Sequence, residues 1–104
     1  MTSYQLFLDD VRDPPTKGSW VVARSYEDFK TVLREKGAPD LVAFDHDLGE
    51  FRTGVDCAKF LIDMDLFSWE KQWNGIFQIH SDNPIGVQNI KFDLECYLRL
   101  RDAL

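Results

Sequence analysis

The stretch Leu41-Val42-Ala43-Phe44-Asp45-His46-Asp47 decides the fold. Its continuous apolar run has no polar alternation, the pattern of a parallel strand covered on both faces. The run then meets three ionisable groups that a covered strand cannot hold unpaired, so the chain leaves the sheet at Asp45. Upstream, Tyr4-Gln5-Leu6-Phe7-Leu8 stops at Asp9-Asp10 in the same way, and downstream Ile76-Phe77-Gln78-Ile79 runs into His80-Ser81. Three apolar segments therefore deliver polar groups to their C-terminal ends.

The intervening segments supply a short strand and the helices. Trp20-Val21-Val22-Ala23 reads as a strand, and Ser25 with Asp28 as a variant capping box opening a helix over 26–36. Tyr26, Phe29, Val32 and Leu33 recur at helical spacing there, and Gly37 and Pro39 stop it. Thr53 and Asp56 open a helix over 54–66, apolar on two sides through Val55, Ala58, Leu61 and Ile62 and through Cys57, Phe60 and Met64. Asn83-Pro84 places a capping residue before a proline at the first helical position, opening a helix over 84–101. Asp13-Pro14-Pro15-Thr16-Lys17-Gly18 is a loop, because proline removes a donor and restricts its neighbour. Strands near 4–8, 20–23, 41–45 and 76–80 alternating with these helices predict an α/β fold. Its compact parallel sheet should have about four strands in order 2-1-3-4, with helices on both faces. In such sheets ligands bind outside the carboxyl ends of the strands.

Composition narrows the partners. With 104 residues, 44% of them apolar, the chain suits one domain over 1–104. Twelve basic against 18 acidic residues, a net charge of −6, disfavour holding extended duplex nucleic acid by phosphate neutralisation. A small anionic substrate held locally is compatible with that charge. No apolar run is long enough to span a bilayer, and no secretory signal opens the chain, so a cytoplasmic protein is expected. Cys57 and Cys96, with no CxxC, read as reduced helix residues.

Asp9, Asp10, Asp45 and Asp47 are the first candidates for chemistry. Singly, each reads as a solvated turn residue. Gathered at one sheet edge they repel and raise each other's pKa until a cation neutralises them. Hard carboxylate oxygens of this kind suit Mg²⁺ or Mn²⁺. Residues 9 and 10 alternate in direction, so one is expected to bind directly and the other through water; Asp13 is placed further out. His80 is the candidate general acid or base, since imidazole as a side-chain type exchanges protons near the operating pH, while Ser81, Asn83 and Gly86 lie where a turn enters a helix, an environment that favours an anion. His46 should turn away from an ion faced by Asp45 and Asp47. Arg12 and Arg52 follow the acidic strand ends and are candidates for bidentate phosphate contacts. Trp20, Trp69 and Trp73 read as packing groups.

Taken together, LFLDDVRDPP, FDHDLG, TGVD and IHSDNPIG resemble the cyclic-phosphate-processing receiver-like domains, divergent relatives of two-component receivers. The resemblance implies a flavodoxin-like fold. It also implies a metal-dependent phosphoesterase acting on the cyclic phosphate end of an RNA or nucleotide, with the Asp cluster and the His80-to-Gly86 segment as its site. On this reading Asp10, Asp45 and His80 are catalytic, and Asp9, Asp10, Asp45 and Asp47 hold the metal. Ser81, Asn83, Gly86, Arg12 and Arg52 hold phosphate. Ordinary receivers have five βα units and a lysine ending the fifth strand, which this sequence does not offer. The alternative is a degenerate receiver that binds metal, phosphate or a signalling partner without catalysis.

Overall fold

A computed structural model describes residues 3–15 and 20–103, so Met1, Thr2 and the Thr16-Lys17-Gly18 part of the proline loop lie outside the described residues. The elements are β1 (Gln5–Leu8), β2 (Trp20–Ala23), α1 (Tyr26–Lys36), β3 (Leu41–Phe44), α2 (Gly54–Phe67), β4 (Phe77–Ile79) and α3 (Pro84–Ala103). The strands form one parallel sheet in the expected order, β2-β1-β3-β4. The capping signals act as their chemistry requires. Ser25 Oγ accepts the Asp28 N–H, the Asp56 carboxylate accepts the Thr53 N–H at 2.8 Å, and Asn83 Oδ1 accepts the Gly86 N–H at 3.0 Å. Each satisfies a donor that a helix start would otherwise leave open.

The three helices do not divide between the two faces of the sheet. Leu6, Leu8, Val42 and Phe44 alternate along β1 and β3 and share one buried cluster with Phe29 and Leu33 of α1, Cys57, Ala58 and Leu61 of α2, and Ile90 and Leu94 of α3. Helix α2 packs between α1 and α3, which is why it is apolar on two sides. The expectation of helices on both faces is thus corrected. Both crossovers, β2 to β3 and β3 to β4, step across the sheet in one direction, and a right-handed connection puts their helices on one side. The connection between β1 and β2 steps the other way across the sheet, and its described part, up to Pro15, contains no helix. Phe7 and Ala43 face the side away from the helices and are still only 5% and 2% exposed. Trp20 meets the Phe7 ring edge-on at 5.7 Å, and the His80 ring stacks on it.

At the opposite end of the sheet, the segment leading to short β4 is pinned by Asp65. Its carboxylate accepts the Trp73 N–H at 2.8 Å, the Tyr97 hydroxyl and Arg101 Nη1 at 2.9 Å. Burial, reinforced by Asp65, pushes the Tyr97 hydroxyl up to about 12. A buried charge held this way stabilises through its partners and becomes a liability when one is removed. Trp73 is almost wholly buried beside it, a packing role as expected. Among the described residues no helix is long and apolar enough to cross a membrane.

Candidate active site

The site is built from the first residue beyond each strand. Asp9 N–H donates to Ala23 O at 3.1 Å, Asp45 N–H to Leu8 O at 3.0 Å and His80 N–H to Phe44 O at 2.8 Å. These bonds continue the parallel ladder by one rung, so strand register alone sets Asp9, Asp45 and His80 side by side. Among the described residues, Asp9, Asp10 and Asp45 bring a carboxylate oxygen each to within 4.8 Å of one another. Three anions so close cost stability unless hydrogen bonds or a cation offset them.

The three carboxylates are held differently. Asp9 is fully buried. Its Oδ1 accepts the Val11 N–H at 3.0 Å and the Arg12 N–H at 2.8 Å, closing a turn, and its Oδ2 lies 3.2 Å from His80 Nε2. Burial pushes the Asp9 carboxyl up, but the two backbone donors and His80 outweigh it and leave it below the usual carboxylate value. Asp45 goes the other way. Burial first and the Asp9 charge second raise its carboxyl, and the His46 N–H, His80 and the Ser81 hydroxyl only partly compensate. Asp10 packs against the loop after β3, where Gly49 has φ +67 and a Cβ would come within 3.0 Å of Asp10 Oδ2. Only glycine adopts that conformation readily and leaves that space open.

His46 and Gly86 explain one another. A Cβ on Gly86 would lie 2.3 Å from His46 Cγ, so the room expected beside Gly86 for a ligand is filled by the His46 ring. That ring packs against Gly86 rather than in the close trio of Asp9, Asp10 and Asp45, but it does not turn from Asp47 as expected: its Nδ1 lies 2.8 Å from Asp47 Oδ1. Asp47 lines the acidic cleft but is not part of the close trio. Asn83 caps α3 and places its amide 3.5 Å from Asp47, so it acts on the helix start and the His46 pair. Ser81 lines the cleft, and its Oγ accepts the Asn83 N–H at 3.1 Å.

Of the two candidate arginines, Arg12 is at the cleft and Arg52 is off it. Arg12 Nη2 pairs with Asp82 at 2.6 Å, and its Nη1 donates to His80 O at 3.3 Å. Arg52 lies 3.6 Å from Asp56, its guanidinium over the Tyr26 ring. Two residues that shape the site carried no sequence expectation. Arg24 Nη1 donates to Asp9 O and Arg12 O, and its Nη2 pairs with Asp13 at 2.6 Å. Arg24 thereby holds the loop after β1, and its place one residue past β2 was the available signal. Gly54 lets α2 start against β3: a Cβ there would sit 2.1 Å from Asp45 O. A glycine in a first helical turn, where it weakens the helix, was the signal.

The carboxylates open into a cleft of about 330 Å³ lined by Asp9, Asp10, Val11, Arg12, Asp45, Asp47, Gly49, Ser81 and Asp82. A second cleft of about 280 Å³, at the N-terminal edge of the sheet, is lined by residues including Lys36, Asp40, Glu70 and Lys71. Its charges are mixed, and among the described residues the carboxylates close enough to hold a metal ion lie at the acidic cleft instead. No curated protein and no solved structure matches the chain. A family model, that of the cyclic-phosphate processing receiver domain, matches residues 4–95. That span contains every strand, the whole acidic edge and most of α3, and the chain belongs to the cyclic-phosphate processing receiver domain family.

Proposed function

We propose that the protein is a metal-dependent phosphoesterase that opens a cyclic phosphate on a nucleotide or on the end of an RNA. The observation that carries this reading is the meeting of Asp9, Asp10, Asp45, Ser81 and His80 at one sheet edge, in a chain of this family. The donor set fits Mg²⁺ or Mn²⁺: the oxygens are hard, three lie within 4.8 Å, and the raised carboxyl of Asp45 marks charge that a cation would offset. Asp10 and Asp45 would hold the ion, with Asp9 behind them and Asp47 at the rim. When bound, a divalent ion screens phosphoryl charge and lowers the pKa of water.

The chain's own groups supply the rest. Water adds its oxygen to phosphorus, one ribose ester bond breaks, and the departing oxygen takes a proton, giving a phosphomonoester. His80 moves that proton. The Ser81 hydroxyl and the Arg12 guanidinium face the nonbridging oxygens, and both line the cleft. Asn83 and Gly86 contribute by fixing the start of α3 and the His46 ring. The net charge of −6 agrees with a short end or mononucleotide as substrate and opposes extended duplex binding. This reading puts the work in the cytoplasm, where nucleotide and RNA ends arise and thiols such as Cys57 and Cys96 stay reduced.

Incubation with nucleoside 2′,3′-cyclic monophosphates and cyclic-ended RNA tests the reading. Monoester product is expected with Mg²⁺ or Mn²⁺, none with chelator, and none from Asp45→Asn. Survival of every cyclic substrate, together with partner binding that depends on Asp45, would replace the enzyme by the degenerate receiver.

A further inference from the structure

We propose that Asp82 is a specificity-determining residue of the acidic cleft. By competing with a bound phosphoryl group for the Arg12 guanidinium, it favours a singly charged cyclic phosphate over the doubly charged monoester that opening produces. Among the described residues lining the cleft, Arg12 is the one cation beside five carboxylates, those of Asp9, Asp10, Asp45, Asp47 and Asp82. An anion that uses this cation must take it from Asp82. The inference rests on the cyclic-phosphate reading for the identity of the two anions; the competition itself stands on geometry.

Strand order shows how Arg12 spans the site. Its backbone belongs to the loop after β1, where its N–H donates to Asp9 Oδ1 at 2.8 Å and its carbonyl accepts Arg24 Nη1. Its guanidinium belongs to the loop after β4: Nη2 pairs with Asp82 Oδ2 at 2.6 Å, and Nη1 donates to the His80 carbonyl at 3.3 Å. β1 and β4 are not neighbours, because β3 runs between them. The side chain therefore reaches past the end of β3, where Asp45 stands. Asp82 raises the guanidinium above its ordinary value, and the Asp9 and Asp45 charges add to that, which places Arg12 in the field of the carboxylate cluster. Asp82 rides on a closed turn, since the Asn83 N–H donates to Ser81 Oγ at 3.1 Å and Asn83 Oδ1 caps α3.

The pair can exchange. Its side chains are 51% and 91% exposed, and Asp82 accepts through a single oxygen, whereas a phosphoryl group offers the guanidinium two. Once Arg12 turns to the ligand, Asp82 is left at the rim without its partner, and its repulsion of the ligand grows with the ligand's charge. A cyclic phosphodiester carries one charge. A monoester, whose second pKa lies at about 6, carries close to two. Asp82 thus weakens the product more than the substrate and helps the product leave.

Asp82→Asn tests it, and because Arg12 and Asp82 lie on the surface the variants should fold. Isothermal titration with nucleoside 3′-monophosphate, with Mg²⁺ above neutral pH, reads the dianion. The matching 2′,3′-cyclic monophosphate is read by its KM, or by titration if the protein does not turn it over. Asp82→Asn should tighten the monoester about three- to tenfold and the cyclic ligand about twofold or less. Product inhibition should deepen in step with the first figure. In an Arg12→Ala background, adding Asp82→Asn should give a gain on the monoester of about twofold or less, since the competition is gone. An equal gain for both anions, or the same gain with and without Arg12, would mean a general charge effect and overturns the proposal. Weaker or absent monoester binding in Asp82→Asn also overturns it, because Asp82 would then hold Arg12 in place for the ligand. If the folded wild type opens no cyclic phosphate, the phosphoesterase reading fails, while the titrations still decide the part played by Asp82.

Discussion

Replacing Asp45 by Asn should raise the melting temperature of the ion-free protein and remove most of its response to Mg²⁺ or Mn²⁺. The carboxylate oxygens of Asp9, Asp10 and Asp45 lie within 4.8 Å of one another. Two charges at that separation repel by about 1 kcal/mol at the dielectric of water and about 3.5 kcal/mol at an effective value of 20. Asp45 is partly exposed and receives the His46 N–H and the Ser81 hydroxyl, so the low end applies. Asn has the same shape and keeps an oxygen for the His46 N–H, 2.8 Å away, so no cavity or orphaned donor offsets the relief. A gain of about 1 kcal/mol corresponds to roughly 4–8 °C for a domain near 100 residues. The sign follows from linkage. The folded carboxyl lies above its unfolded value, so the native state holds more protons between the two and loses stability as pH rises through that window. At neutral pH the cost is fully present, and Asn removes it. Conversely, an ion at a hundredfold its Kd adds about 2.7 kcal/mol to the wild type and far less to the variant. Melting followed by circular dichroism, with chelator and with each ion, measures both effects. A fall of several degrees for Asp45→Asn in chelator, or an unchanged ion response, would refute the repulsive cluster.

Asp9 should act in the opposite sense: its lowered carboxyl stabilises above the unfolded value and loses that contribution as pH falls through the folded one. Acid melting curves should show that loss in the wild type and not in Asp9→Asn. His80→Ala should cut kcat by about 10²–10⁴-fold with a small change in KM, whereas Ser81→Ala should raise KM as well, both read in steady-state kinetics. Gly54→Ala places a methyl 2.1 Å from Asp45 O and should destabilise by about 1–3 kcal/mol, seen as a lowered midpoint in urea. Arg52→Ala should leave KM for cyclic nucleotides unchanged, because Arg52 sits over Tyr26 and not on the cleft.

The strand ends were legible because the change from apolar run to Asp or His is local. Asp45 and His80 follow β3 and β4 directly, as the runs 41–44 and 76–79 implied, and the caps at Ser25, Thr53 and Asn83 are equally local. The one-sided helix layer was less visible, since it depends on the direction of two crossovers along the sheet, which no short segment records. The contact between Asp9 and His80 spans 71 positions and has no local signature. Gly54 and Gly86 read as helix residues, yet each is shaped by a partner distant in sequence, the Asp45 carbonyl and the His46 ring. Arg52 follows an acidic strand end in sequence, but Tyr26 and Asp56 draw it away from the cleft.

Phosphorus NMR of a nucleoside 2′,3′-cyclic monophosphate, recorded while the folded protein acts on it, tests the phosphoesterase reading most directly. With Mg²⁺ or Mn²⁺ the cyclic resonance should give way to a monoester resonance, and chelator, Asp10→Asn or Asp45→Asn should each stop the conversion. A cyclic resonance that persists undiminished through prolonged incubation with folded, ion-saturated wild-type protein would contradict it.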